Sequence, residues 1–121
     1  MKTVMKICIP IIIISVVVII AVESISELDS RGNFAVAVTD AFKPYGSEIE
    51  DVHVDYGYVA IYIDAKRWKN TSEETQQQFL KEAYILVRSA AISSKIMKHH
   101  DCLLSVYDST GNRIVMYEVK E

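Results

Sequence analysis

The sequence is poor in cysteine and glycine, the residues typical of disulfide-linked domains and of phosphate-binding loops. It contains two cysteines, four glycines and two prolines in 121 residues. Cys8 lies in an apolar N-terminal run, so the remainder has the single thiol Cys102 and cannot form an internal disulfide. It has no glycine-rich phosphate loop, no Gly-x-Ser-x-Gly and no metalloprotease histidine pair. Catalysis therefore has little support, and we expect no cofactor.

Basic residues are also in short supply. Thirteen Lys and Arg stand against sixteen Asp and Glu, giving a formal net charge of −3. Lys2 and Lys6 precede residue 22 and every acid follows it, which leaves the remainder with eleven basic and sixteen acidic residues, a net charge of −5. This charge argues against nucleic acid as a partner and against polybasic binding to anionic lipid.

The chain does have one long apolar run, at residues 7–22, where sixteen consecutive residues carry no charge. As a helix the run would span roughly 24 Å at about 1.5 Å per residue, slightly less than a ~30 Å hydrocarbon core. Lys2 and Lys6 before the run, with Glu23 and Glu27 after it, predict that the following chain lies outside the cytoplasm. We expect residues 1–22 to be a signal anchor that contacts the membrane through residues 7–22.

A cleaved signal peptide is the alternative for this segment. Such peptides end in a site of small residues, and the candidates here are Val22-Glu23-Ser24 and Ser24-Ile25-Ser26. Neither matches such a site well, so an uncleaved anchor is favoured. Cleavage near residues 24–26 would release a secreted or periplasmic protein instead of a membrane-anchored one.

The remaining chain has the length of one compact domain. Residues 23–33 are polar and predict a linker, and residues 34–121 predict a small extracytoplasmic α+β domain. A helix of about ten residues begins at Phe34, and Pro44 and Gly46 end it. Alternating residues in 50–64 predict two strands that meet near Tyr56-Gly57.

A long helix follows, from about Ser72 to Ala91 and at most to Lys98, with Thr71 and Glu74 spaced as a capping box. Residues 103–107 and 113–119 flank a turn and predict a second hairpin. The order α-β-β-α-β-β predicts a two-layer α+β sandwich, with a four-stranded, largely antiparallel sheet packed on two helices and preceded by the N-terminal hydrophobic helix.

Seven tyrosines are the unusual feature of the composition, and most lie in predicted strands. If Val59, Ile61 and Ile63 face the helices, Tyr58 and Tyr62 point to the other side of the sheet. Tyrosine is enriched at interfaces because it combines apolar area with a polar tip. The candidate binding residues are Tyr58, Tyr62, Tyr107 and Tyr117. Alternatively, these rings only stabilise a half-exposed sheet, or the first helix covers them.

Two further groups of residues invite functional hypotheses. His99, His100 and Cys102, with His53, are ligand types that zinc prefers, although their spacing is not that of a zinc finger. Lys66-Arg67-Trp68-Lys69 suggests an anionic ligand or a membrane interface, but such a Trp more often packs over the start of the next helix while the cations stay in solvent.

The sequence thus favours a small non-catalytic binding or assembly module of the cell envelope, tethered or exported. We expect a protein partner or self-association through the tyrosine-bearing sheet face. The competing hypothesis is an exported metal-binding protein or enzyme that uses His99, His100, Cys102 and His53.

Overall fold

The computed structural model describes residues 27–121, so the predicted anchor at 1–22 and the cleavage region near 24–26 lie outside the described residues. In this part of the chain no helix combines the length and the apolarity that a membrane crossing needs. The first helix, α1, occupies residues 27–42 and runs into the 3-10 turn Lys43–Tyr45. The later elements are β1 (Ile49–Asp55), β2 (Tyr58–Ile63), α2 (Ala65–Lys69), α3 (Glu73–Ser94), the 3-10 turn Ile96–Lys98, β3 (Cys102–Asp108) and β4 (Arg113–Val119).

The four strands form one sheet in the order β1-β2-β3-β4. The two hairpins, β1 with β2 and β3 with β4, are antiparallel, whereas the central pair of β2 and β3 is parallel. The chain returns from β2 to β3 through α2 and α3, and a helical crossover of this kind brings the second strand back in the same direction. The α+β fold with a four-stranded sheet is confirmed, and the sheet is mixed.

Both long helices pack on the same face of the sheet. In α1 the buried residues Phe34, Val38 and Phe42 recur every four positions and form one stripe. The buried stripe of α3 includes Leu80 and Val87. These side chains meet the alternate strand residues that point toward the helices: Val59, Ile61, Ile63, Cys102, Leu104, Val106 and Val119.

The helix α1 begins earlier than predicted, because residues 27–33, assigned to the linker 23–33, are already helical. Ser30 is buried one turn before Phe34 and extends the same stripe. The Arg31 guanidinium carbon lies 3.8 Å from the centroid of the Tyr56 ring, in the β1–β2 turn. The polar composition of residues 27–33 gave no apolar periodicity that would predict a helix, because the buried position in this segment is a serine.

The start of α3 differs from the predicted capping box, and its end lies beyond the predicted Ala91. Ser72 is the N-cap, and its Oγ accepts a hydrogen bond from the Thr75 amide at 3.2 Å. The Thr71 hydroxyl instead donates to the Arg67 carbonyl oxygen at 2.7 Å and closes α2. The helix ends at Ser94 because Lys95 adopts a left-handed conformation with φ 61°.

Candidate binding surface

The sheet face opposite α1 and α3 carries the tyrosines of the two central strands. Because Val59 and Ile61 point into the core, Tyr58, Ala60 and Tyr62 point to the other side. Parallel pairing places Ala60 beside Ser105 and Tyr62 beside Tyr107. We call this surface the Tyr face and define it by Tyr58, Tyr62 and Tyr107 with Ala60 and Ser105 between them.

The three rings of the Tyr face hold one another in place. The phenol oxygens of Tyr58 and Tyr107 lie 2.8 Å apart, within hydrogen-bonding distance. The rings of Tyr62 and Tyr107 stack with centroids 5.4 Å apart and planes inclined by 18°. On the β1 side, His53 meets Tyr62 edge to face at 5.7 Å, and its Nε2 lies 2.8 Å from Asp51 Oδ2. The result is a continuous aromatic cluster that spans three strands.

These rings desolvate the centre of the face. Ser105 is 0% exposed and Ala60 is 4% exposed, although the helices of residues 27–121 pack on the opposite side of the sheet. The Ser105 hydroxyl makes no hydrogen bond of good geometry within the described chain. The centre of the Tyr face is therefore already dry, while the outer parts of its rings stay partly accessible.

The two hydrogen-bonded phenols differ in acidity. Burial raises the pKa of Tyr58, and its hydrogen bond with Tyr107 raises it further. The hydrogen bond with Tyr58 lowers the pKa of Tyr107, and the charge of Arg113 on β4 adds to this effect. The geometry of this hydrogen bond allows either hydroxyl to be the donor.

The charged residues around the Tyr face are mostly acidic. Asp51 and Asp55 pair with Tyr62 and Tyr58 across β1 and β2, and Glu118 pairs with Leu103 across β3 and β4. Arg113 is the cation beside Tyr107, with its Nη1 3.6 Å from the sulfur of Met116. The face thus has an aromatic centre, an exposed methionine and a rim in which acids outnumber bases.

Tyr117, the fourth predicted binding tyrosine, lies on the other side of the sheet. It pairs with Leu104, whose side chain is in the core, and its ring packs against Tyr84 of α3 at 5.7 Å. Tyr117 therefore belongs to the interface between β4 and α3. The structure brings together Tyr58, Tyr62 and Tyr107 and separates Tyr117 from them.

No family model, curated protein or solved structure matches this chain. The Tyr face and the other surfaces of the domain therefore carry the functional argument alone.

The structure does not bring the predicted metal ligands together. His53 lies on the Tyr face, whereas Cys102 points toward the helices and is 1% exposed. His100 packs against Tyr56, and its Nε2 lies 3.0 Å from Glu27 Oε1. Burial raises the pKa of Cys102 to about 11, which disfavours the thiolate that a metal or a nucleophilic reaction needs. Within residues 27–121, no three His, Cys, Asp or Glu side chains converge as a ligand set.

Two features of the surface were not anticipated from the sequence. Because Ser105 alternates with the buried Leu104 and Val106, the sequence predicts that its side chain points away from the helices. Its full burial on that side depends on the tyrosine rings of both β2 and β3, which the sequence does not bring together. Met116 pairs with Ser105 and extends the apolar surface across β4. The prediction for Trp68 is confirmed: its ring packs edge to face on Phe79 near the start of α3, while the flanking cations are exposed.

Proposed function

We propose that this domain is a non-catalytic binding module that uses the Tyr face to hold a protein partner. The observation that supports the proposal is the aromatic cluster of Tyr58, Tyr62 and Tyr107, which lies on a sheet face opposite the helices of residues 27–121. Large side chains that surround a dehydrated centre and keep their outer parts accessible are typical of the anchors of protein interfaces.

The cluster is also preorganised for binding. Stacking of Tyr62 on Tyr107 and the hydrogen bond between Tyr58 and Tyr107 restrict the rotamers of all three side chains. A partner that docks on rings already held in place loses less side-chain entropy on association. Because Tyr62 and Tyr107 cover one face of each other, their remaining edges and hydroxyl groups are what a partner can contact.

Charge complementarity specifies the chemistry of the partner. Asp51, Asp55 and Glu118 outnumber the nearby cations, which are Arg113 and the Lys120 that lies 3.9 Å from Glu118, so a partner with an apolar centre and a basic rim fits the Tyr face. A second copy of this chain would place like-charged rims against each other. We therefore favour a different protein over self-association.

The location of the partner follows from the N-terminal run. If residues 7–22 anchor the chain, the Tyr face lies outside the cytoplasm, at the distance from the membrane that the preceding segment allows. If the chain is cleaved near residues 24–26, the same face acts in a secreted or periplasmic domain. In both cases the Tyr face meets its partner outside the cytoplasm.

Site-specific photocrosslinking in cells tests this proposal. Met116, 49% exposed on the Tyr face, and Ile85, 50% exposed on the outer side of α3, are each replaced by p-benzoylphenylalanine in the full chain. We expect a discrete adduct from position 116 and none from position 85. Mass spectrometry of the adduct should map the crosslink to an apolar segment flanked by Lys or Arg.

The aromatic cluster and the rim are then tested separately. Tyr62→Ala should abolish the adduct at position 116, whereas Tyr84→Ala, on the helix side, should leave it in place if the fold is retained. The yield should also fall as ionic strength rises, because salt screens the rim charges. An adduct with the mass of a dimer would replace the proposed partner with a second copy, and equal yields at positions 116 and 85 would contradict a Tyr-face interaction.

A further inference from the structure

A second surface, separate from the Tyr face, contains a cleft of about 280 Å³ between the end of β2, α2 and the start of α3. Its apolar walls include Ile63, Trp68 and Phe79, and Arg67 and Glu48 contribute opposite charges. Packing of Trp68 on Phe79 accounts for the contact between their rings, but it does not explain why both rings also line an open cleft. We call this site the Trp cleft.

The backbone that carries Arg67 and Trp68 is fixed by side-chain hydrogen bonds. Asp64 caps α2 by accepting from the Arg67 amide at 2.7 Å, and the Ala65 amide donates to Ser109 Oγ at 2.9 Å. At the other end, Gln76 Nε2 donates to the Trp68 carbonyl oxygen at 2.7 Å. A helix of five residues has few hydrogen bonds of its own, so these contacts are what hold it in place.

The two charges of the Trp cleft are not neutralised by the protein. Within residues 27–121 neither Arg67 nor Glu48 forms an ion pair, either with each other or with another side chain. Both nevertheless line the cleft, and both also line the shallower depression next to it, together with the acidic residues Glu50 and Asp64. A ligand in the cleft would therefore meet a cation and an anion next to an apolar wall.

We propose that the Trp cleft binds a small apolar α-amino acid as its zwitterion. The carboxylate would pair with the Arg67 guanidinium, which matches carboxylate geometry, and the ammonium group would pair with Glu48. The apolar side chain would lie against Trp68, Phe79 and Ile63. The volume, slightly below the ~300 Å³ of the smallest usual ligand sites, fits one small molecule.

The tryptophan itself reports binding, because Trp68 is the only tryptophan of the chain. The full-length protein in lipid nanodiscs is titrated with L-leucine while its tryptophan emission is recorded. We expect a saturable change. L-leucinamide, which lacks the carboxylate, and N-acetyl-L-leucine, which lacks the ammonium group, should each bind roughly tenfold more weakly or worse.

Variants assign the two charges. Arg67→Gln should weaken L-leucine binding roughly tenfold, whereas Lys69→Gln, on the same short helix but outside the cleft, should leave it unchanged. Glu48→Gln should weaken the binding of L-leucine and leave the binding of N-acetyl-L-leucine unchanged. Circular dichroism of each variant checks that α2 and α3 persist.

Three results would overturn the proposal. The first is the absence of any saturable emission change with L-leucine or L-phenylalanine. The second is binding of N-acetyl-L-leucine as tight as that of L-leucine, which would remove the role of Glu48. The third is an equal loss of L-leucine affinity in Lys69→Gln and Arg67→Gln, which would mean that the overall positive charge of α2, and not the Arg67 guanidinium, attracts the ligand. None of these results bears on the Tyr face, so the two proposals stand or fall separately.

Discussion

Two glycines of the domain differ in the space around their Cα atoms: a side chain would clash at Gly57 and would fit at Gly32. A Cβ atom on Gly57, in the β1–β2 turn, would lie 2.2 Å from the Asp101 carbonyl oxygen. A Cβ on Gly32, inside α1, would meet nothing within 4 Å. The sequence predicted a turn at Tyr56-Gly57. Glycine is needed there because the backbone at Asp101, far away in sequence, packs against it, and the local sequence pattern carries no information about that contact.

These environments predict opposite effects of one substitution. Gly57→Ala forces the turn or the loop at Asp101 to move and should destabilise the fold by more than about 2 kcal/mol. Gly32→Ala should stabilise it by about 0.5–1 kcal/mol, because glycine in an exposed helix is more flexible when unfolded than alanine. Urea denaturation of both variants measures the two signs. Equal effects would show that the close approach at Gly57 is absent in solution.

Cys102 predicts a dependence of stability on alkaline pH. Its thiol pKa is about 11 in the fold against an ordinary value of 9.0, because burial disfavours the thiolate. The folded state therefore keeps a proton that the unfolded state loses between pH 9 and about 11, so the stabilisation is complete below pH 9 and is lost across that window, by up to about 3 kcal/mol. Cys102→Ala removes this titration. Its free energy of unfolding, though lower at neutral pH, should fall less steeply over the same window than that of the wild type.

At the level of elements, α3 ends at a residue that is poorly suited to its conformation. Lys95 is left-handed, with φ 61°, and its amide donates to the Ile92 carbonyl oxygen. Lys95→Gly should stabilise the fold by about 0.5–1 kcal/mol, because the steric strain of a left-handed L-residue exceeds the added flexibility of glycine in the unfolded chain. Lys98→Gly, in the right-handed 3-10 turn that follows, is the matched control and should destabilise. The midpoint of urea unfolding distinguishes them, and a loss of stability in both variants would contradict the strain at Lys95.

The strands were easier to predict than the helix ends. Alternation fixed the phase of Val59, Ile61 and Ile63, and with it the direction of Tyr58 and Tyr62, because a side-chain period of two leaves one choice per strand. The N-cap of α3 was placed one residue too early, at Thr71, since Thr and Ser can both cap a helix and the geometry selects Ser72.

At the scale of the whole molecule, the Tyr face depends on a pairing that local pattern does not encode. Tyr107 joins Tyr58 and Tyr62 only because β3 runs parallel to β2 in the register that places Tyr62 beside Tyr107. Residues 64–101 separate these strands, and alternation within each strand is compatible with either direction. Tyr117 illustrates the same limit: its residue type matched the others, but its phase on β4 places it against α3.

The domain boundary gives the last prediction. A fragment of residues 34–121 begins where the sequence placed the domain. A fragment of residues 27–121 also keeps residues 27–33 of α1, with Arg31 on the Tyr56 ring, Glu27 near His100, and buried Ser30. Because these contacts tie α1 to the β1–β2 turn and to the loop before β3, the longer fragment should be more stable by about 1–2 kcal/mol.

Urea unfolding of the two fragments measures this difference directly. Within the longer fragment, Arg31→Ala should cause part of the loss of stability that truncation causes, while Val36→Ala, on the exposed side of α1, should change the midpoint little. Equal stability of the two fragments would mean that residues 27–33 act as a linker in solution. A lower stability of the shorter fragment would instead make the segment after the proposed anchor part of the folded domain, which would leave fewer residues between the membrane and the Tyr face.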